Sequence, residues 1–267
     1  MFVQNKIINI VKDKCIQDDS VSACMMYGSF TKGEGDQHSD VEFYIFIADD
    51  LINRFNSRHW ISEVNAVDLL FFNEHGTEVA IFSNMIRGEF HFLPESEMDI
   101  IKSFKPTGVF PDTESMYLYD STERLKPLLD GLSGSVPERM TNENVNFAFN
   151  NFVNAWLMGV NVMKRGELAR SLEVLTHVQK YVLQLIRVQE KNVERWLNST
   201  KNLEVDISAE SYKDYVSFTS KLDKNQLKHA YMNSLNKIEE LYYALNNQYF
   251  IDIDSKIIRK LYRYFNQ

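Results

Sequence analysis

Residues 27–33 read Tyr27-Gly28-Ser29-Phe30-Thr31-Lys32-Gly33, and after a polar loop residues 39–46 read Ser39-Asp40-Val41-Glu42-Phe43-Tyr44-Ile45-Phe46. The second run has the pattern of a β-strand, rich in apolar and β-favouring residues. Successive strand side chains point to opposite faces, so Asp40 and Glu42 share one face and Val41, Phe43 and Ile45 the other, which is the natural core face. Two carboxylates side by side at the start of a strand repel each other, and a hard divalent cation between them removes the repulsion. Mg²⁺ takes oxygen ligands and commonly combines one or two carboxylates with substrate phosphates. The first run supplies a seat for those phosphates. Ser22 to Tyr27 reads as a short buried strand ended by Gly28-Ser29. A glycine there lets the backbone approach a ligand closely, and successive N–H groups before a helical turn form an anion-binding nest. Lys32 adds a positive charge. Gly-Ser alone is also an ordinary turn, and a lone Asp-x-Glu is often a solvated strand face. Joined by a ten-residue gap and flanked by hydrophobics, they are far more specific than either alone.

These residues resemble the signature of the DNA polymerase β-like nucleotidyltransferase superfamily, which is Gly-Ser, a gap of similar length, then Asp-x-Asp or Asp-x-Glu. The full string 27–46, the chain length and a helical C-terminal half are similar to the lincosamide nucleotidyltransferase family, antibiotic-resistance enzymes that adenylylate drugs such as lincomycin and clindamycin. The resemblance implies Mg²⁺ held by Asp40 and Glu42, with ATP as co-substrate contacting Gly28, Ser29 and Lys32. It also implies a third acidic residue on a later strand. In Ile86 to Pro94, alternation places Gly88, Phe90 and Phe92 on one face and Glu89 and His91 on the other. Glu89 is thus the expected catalytic base, alongside Asp40 and Glu42. Asp68 is the rival; Glu89 is favoured because its strand comes later and His91 keeps the same face polar. Glutamate rather than aspartate as the second motif acid leans away from the polymerases.

The chain has 267 residues, 29 Lys+Arg against 37 Asp+Glu and a net charge of −8, a balance that argues against a nucleic-acid duplex as partner. Cys15 and Cys24 show no disulfide framework or zinc spacing. No run approaches the roughly 20 apolar residues of a membrane span, and the N-terminus lacks signal-peptide character. The expectation is a soluble, cytoplasmic protein.

Helical spacing of Ile7, Ile8, Val11 and Cys15 predicts a helix over 3–17. Strands are predicted at 22–27, 40–47, 66–72, 78–82 and 86–94, with a short helix at 49–55. Residues 103–141 hold four of the five prolines and read as irregular, apart from a short strand near 116–119. Residues 130–137 have linker chemistry. After a cap-like Thr141 the spacing predicts helices to about residue 165, then 167–191, 209–221, 223–247 and 254–265. Phe147, Phe149, Phe152 and Trp156 are assigned mostly to the core, Lys164 and Arg170 are candidate triphosphate contacts, and His91 and His177 candidate drug-site residues.

The expected fold is a mixed α/β, polymerase β palm-like nucleotidyltransferase domain over 1–135 and an all-α helical bundle over 136–267 that binds substrate, with the active site in the cleft. The expected reaction transfers AMP from ATP to a lincosamide hydroxyl. The alternatives are an aminoglycoside as acceptor, or a protein- or RNA-modifying nucleotidyltransferase. Partners are the antibiotic and a nucleoside triphosphate, without nucleic acid or membrane. The resemblance also raises a homodimer, since members with this layout often pair.

Overall fold

The computed structural model describes residues 2–267, and the chain divides into two compact units, Met1–Pro137 and Glu138–Gln267. In the first unit, alternating apolar residues build a six-stranded mixed sheet among the described residues. Its strands are β1 (Val21–Tyr27), β2 (Val41–Ile47), β3 (Val67–Phe72), β4 (Glu78–Phe82), β5 (Arg87–Pro94) and β6 (Tyr117–Asp120), in the order β3-β4-β5-β2-β1-β6. Only the β2–β5 pair is parallel. The C-terminal ends of β1 and β4 therefore meet the N-terminal ends of β2 and β5 at one edge of the sheet. Register pairs Tyr27 with Glu42 and Glu42 with Glu89.

The two faces bury different cores. Val41, Phe43, Ile45 and Phe90 pack with Ile7, Val11 and Cys15 of helix α1 (Val3–Gln17) and with Trp60 and Ile61 of α2 (Ser57–Ser62). On the opposite face Met25 and Phe46 pack with Met98 and Ile101 from a 3₁₀ segment, Glu95–Thr107, and with Leu125 and Leu129 of α3 (Leu125–Asp130). That second layer comes largely from the stretch expected to be irregular. Its pieces are short or lack the i→i−4 ladder, and Pro106 and Pro127 interrupt them, so no 3.6-residue stripe develops. The helix expected at 49–55 shrinks to a 3₁₀ turn, Ile52–Arg54.

The second unit is helical. Thr141 Oγ1 accepts a hydrogen bond from the Asn144 amide and caps α4 (Asn142–Lys164). Gly166, at φ 85°, turns the chain into α5 (Leu168–Gln189). The short α6 (Leu203–Asp206), α7 (Ala209–Ser217), α8 (Lys224–Leu245) and α9 (Ser255–Asn266) follow. Three helices meet where Gly159 of α4 lies under the Tyr231 ring of α8; a Cβ there would overlap the phenol oxygen. Tyr231 donates to the Ser171 carbonyl at 2.8 Å, and Trp156 donates to the Tyr231 carbonyl at 2.9 Å. Phe149, Phe152 and Trp156 are fully buried, but Phe147 is exposed because it lies two positions from Val145 and Phe149, off their helical stripe.

The fully buried Arg187 orders the connection after α5. It donates to the carbonyls of Ser199 and Lys201, both at 2.9 Å, and pairs with Asp206 at 3.1 Å. Arg195 also contacts Asp206, so Asp206 keeps a cation if Arg187 is lost, but the two carbonyls do not. Arg187→Met is expected to destabilise the chain by about 3 kcal/mol, the low end for breaking a buried ion pair, as read from the midpoint of urea unfolding. A change below about 1 kcal/mol would contradict this role.

Candidate active site

Period-2 geometry brings Tyr27, Asp40, Glu42, Arg87 and Glu89 together on one face at one edge of the sheet. Asp40 immediately precedes β2, and parallel register sets it beside Arg87, just as Glu42 lies beside Glu89. The Arg87 guanidinium joins the two strands, donating from Nη1 to Asp40 Oδ2 at 2.7 Å and from Nη2 to Glu89 Oε1. The sequence reading did not select Arg87. Its signal was present, since it precedes Glu89 by two positions and must share its face.

Glu42 carries the strain of the cluster. Burial, then the charges of Asp40 and Glu89, push its carboxyl up to about 8, against the opposing pull of Arg87 and Lys32. The Gly28-Ser29 loop closes directly over it. Gly28 has φ 91°, and a Cβ there would overlap Glu42 Oε2. Ser29 begins a single 3₁₀ turn, Ser29–Lys32, braced by a hydrogen bond from Thr31 Oγ1 to the Gly28 carbonyl at 2.9 Å. Ser29 Oγ is buried without a hydrogen-bond partner among the described residues. The Lys32 ammonium lies 5.7 Å from the centre of the Phe110 ring and near enough to Glu42 to lower its pKa.

Deeper on the same face the chemistry changes from charge to aromatic contact. His91 stacks on Tyr44 with ring centres 4.2 Å apart, and the Tyr27 hydroxyl lies 3.1 Å from His91 Nε2. Burial first, then the neighbouring carboxylates, raises the Tyr27 phenol far above its usual range, while burial lowers His91. His91 is therefore an aromatic brace behind the acids.

Asp68 lies elsewhere, exposed on edge strand β3, where it accepts a hydrogen bond from Ser83 Oγ at 2.5 Å. In the helical unit His177 is exposed, Lys164 donates to the Tyr264 carbonyl at 2.6 Å, and Arg170 pairs with Glu167.

No three His, Cys, Asp or Glu side chains form a ready-made metal cage among the described residues. The donor chemistry nevertheless suits Mg²⁺, which needs only one or two protein carboxylates when phosphates supply the remaining oxygens. The excess negative charge felt by Glu42 and the unpartnered Ser29 hydroxyl are the features such a metal–phosphate group would satisfy.

Two domain families match the chain. Residues 5–93 match the polymerase β nucleotidyltransferase domain, and residues 141–264 match the lincosamide nucleotidyltransferase-like C-terminal domain. The chain thus carries a polymerase β nucleotidyltransferase domain followed by a lincosamide nucleotidyltransferase-like C-terminal domain. Among solved structures, an aminoglycoside 6-adenyltransferase from Bacillus subtilis is similar at 12% identity and TM-score 0.44, over 97% of this chain and 96% of that one. A nucleotidyltransferase-like protein from Exiguobacterium sibiricum is similar at 13% identity and TM-score 0.40, over 91% and 77%. No curated protein matches. Polymerase β-type nucleotidyltransferases use a divalent metal and a nucleotide. No helix among the described residues is long and apolar enough to cross a membrane.

Gly28→Ala tests the closeness of loop and carboxylate. The added methyl must displace either the Glu42 carboxylate or the loop, and the backbone at φ 91°, ψ −154° lies in a glycine-only region that costs about 1–3 kcal/mol besides. Turnover is expected to fall at least about tenfold while thermal unfolding stays cooperative. Undiminished turnover would mean that the Gly28–Glu42 contact is dispensable.

Proposed function

We propose that this chain is a Mg²⁺-dependent adenylyltransferase that moves AMP from ATP to a hydroxyl of a lincosamide antibiotic, inactivating it and releasing pyrophosphate. The match of residues 141–264 to the lincosamide nucleotidyltransferase-like domain carries the acceptor class. The acidic cluster beneath the Gly28-Ser29 loop supports the reaction type.

In this reading Gly28, Ser29 and Lys32 seat the triphosphate, the loop through its backbone N–H groups and Ser29 Oγ, and Lys32 through its charge. Asp40 and Glu42 would hold the metal, which when bound neutralises charge on the phosphates and on the attacking and leaving oxygens. The drug hydroxyl attacks the α-phosphorus in line, the bond to the bridging oxygen of pyrophosphate breaks, and the hydroxyl proton passes to Glu89. Arg87 holds Glu89 by Oε1, leaving Oε2 to take the proton. The tie to Arg87 also fixes the carboxylate's orientation, which a base requires before its pKa matters.

An aminoglycoside is the other acceptor to be weighed. It is a polycation, and a pocket built for it would be rich in carboxylates. The cavity of about 530 Å³ that Asp40 and Arg87 line is mostly polar, with Asp40 its one carboxylate and Met85 and Ile86 its apolar members. Since neither Glu42 nor Glu89 lines it, it does not separate the two acceptors; the domain match does that work in this reading.

Glu89→Gln keeps the shape and removes the base. ATP and drug should still bind, while turnover falls in the range of about 10²–10⁴-fold typical of general-base loss. Asp68→Asn is the matched control and should be milder by at least about tenfold, or about 1.4 kcal/mol in barrier. The reverse ranking would move the base to Asp68 and leave the reaction class standing.

The acceptor is decided by pyrophosphate release from ATP with Mg²⁺, run against lincomycin, clindamycin, a panel of aminoglycosides and no acceptor. Release is expected with the lincosamides alone, abolished by EDTA and restored by Mg²⁺, and nearly absent in Asp40→Asn and Glu42→Gln. Release with aminoglycosides alone would transfer the assignment to that class.

A further inference from the structure

The hairpin joining β4 to β5 is a tight turn with an unusual residue in it. The Phe82 amide donates to the Ile86 carbonyl at 3.0 Å, and the Met85 amide to the Phe82 carbonyl at 2.7 Å. Met85 has φ 63°, in the left-handed region. Three-residue hairpins of this kind put glycine at that position because a side chain there is strained. The other non-glycine residues with positive φ among those described, Glu123, Lys191 and Asn202, are all polar. Met85 is apolar and 79% exposed, so no packing within its own unit repays the strain. An exposed methionine alone would need no explanation. An exposed methionine held in a strained conformation does, because uncompensated strain concentrates where a ligand makes use of it.

Its position supplies the use. Met85 lines the cavity that holds Asp40 and Arg87. In the strand order β4-β5-β2-β1, the Gly28-Ser29 loop follows β1, on one side of Asp40 and Glu42, while the β4–β5 hairpin lies on the other side. Glu89 sits on β5, two residues beyond Arg87, on the hairpin's side of the acids. A molecule whose hydroxyl reaches Glu89 from the side away from the phosphate loop therefore extends toward Met85. The Met85 side chain is flexible and polarizable, suited to an apolar surface of irregular shape.

We propose that Met85 is a specificity-determining contact for the acceptor, meeting an apolar alkyl portion of the molecule whose hydroxyl is adenylylated. The inference rests on the adenylyltransferase reading above and deepens it. The acceptor must carry an apolar group near its reacting hydroxyl, and removing the Met85 side chain weakens binding without touching the chemistry.

The test uses the full chain and the variants Met85→Gly, Met85→Leu and Met85→Gln, with steady-state pyrophosphate release from ATP and Mg²⁺ on lincomycin and clindamycin, and thermal unfolding in parallel. Met85→Gly is expected to unfold at the same or a higher temperature than wild type, since glycine relieves the backbone strain. It should raise KM for the lincosamides about tenfold, the scale of one lost apolar contact in a pocket, with kcat and the KM for ATP close to wild type. Met85→Leu should recover most of the affinity and Met85→Gln should not. Unchanged lincosamide KM in Met85→Gly, or equal behaviour of the leucine and glutamine variants, overturns the contact while leaving the adenylyltransferase reading intact. If wild type turns over no lincosamide and works on aminoglycosides, the acceptor reading fails, and the apolar contact fails with it.

Discussion

The Arg87 guanidinium spanning Asp40 and Glu89 is the contact on which the functional edge of the sheet depends. Parallel pairing of β2 with β5 forces Glu42 and Glu89 to be neighbours, and like charges directly opposite each other on adjacent strands are destabilising. Partial burial makes this worse by lowering the effective dielectric. A chain selected only for stability would place a neutral residue at one of these positions. This one keeps all three acids and sets a single arginine across two of them. The third, Glu42, is left under the Gly28 backbone with its proton affinity raised to about 8. Local charge conflict of this kind, within a sheet that is otherwise consistent with its sequence, marks a place shaped by function.

The apolar scaffold behind that edge was readable because it obeys period 2. Val41, Phe43, Ile45 and Phe90 alternate with polar residues, and the strands built from them stand where alternation puts them. The same rule placed Asp40, Glu42 and Glu89 on polar faces. It could not say that these faces coincide. That depends on the pairing of Glu42 with Glu89, a contact between residues 47 positions apart that no local pattern encodes. Arg87 was overlooked for a related reason. Its face follows from Glu89, but its significance appears only when Asp40, just before β2, lies 2.7 Å away.

The layer that covers the sheet's second face was the least legible part. Met98, Ile101, Met116, Leu125 and Leu129 are deeply buried, yet they come from a 3₁₀ run, a turn and a six-residue helix. The 13-residue 3₁₀ run winds with three residues per turn rather than 3.6, and the turn and the short helix are too brief for a stripe. The long helices α4, α5 and α8 presented the opposite case, with stripes repeated over many turns. There the difficulty lay in single residues such as Phe147, which shares a helix with the core aromatics but not their face.

The two units treat charge in different ways, and this contrast bears on where the chemistry resides. In the helical unit the fully buried Arg187 is tied to backbone carbonyls and to Asp206, which Arg195 also contacts. That arrangement locks a connection in place and leaves a charge no freedom to respond to a ligand. At the edge of the sheet the balance runs the other way. Three carboxylates share Arg87 and the field of Lys32, and a buried serine hydroxyl in the adjoining loop lacks a partner among the described residues. A buried carboxyl whose ionisation is opposed by its carboxylate neighbours, next to a loop suited to anions, is matched by a ligand that brings both a divalent cation and phosphates. Either component alone would leave one half of the edge uncompensated. That is the physical reason a nucleoside triphosphate and its metal are expected to bind here as a unit.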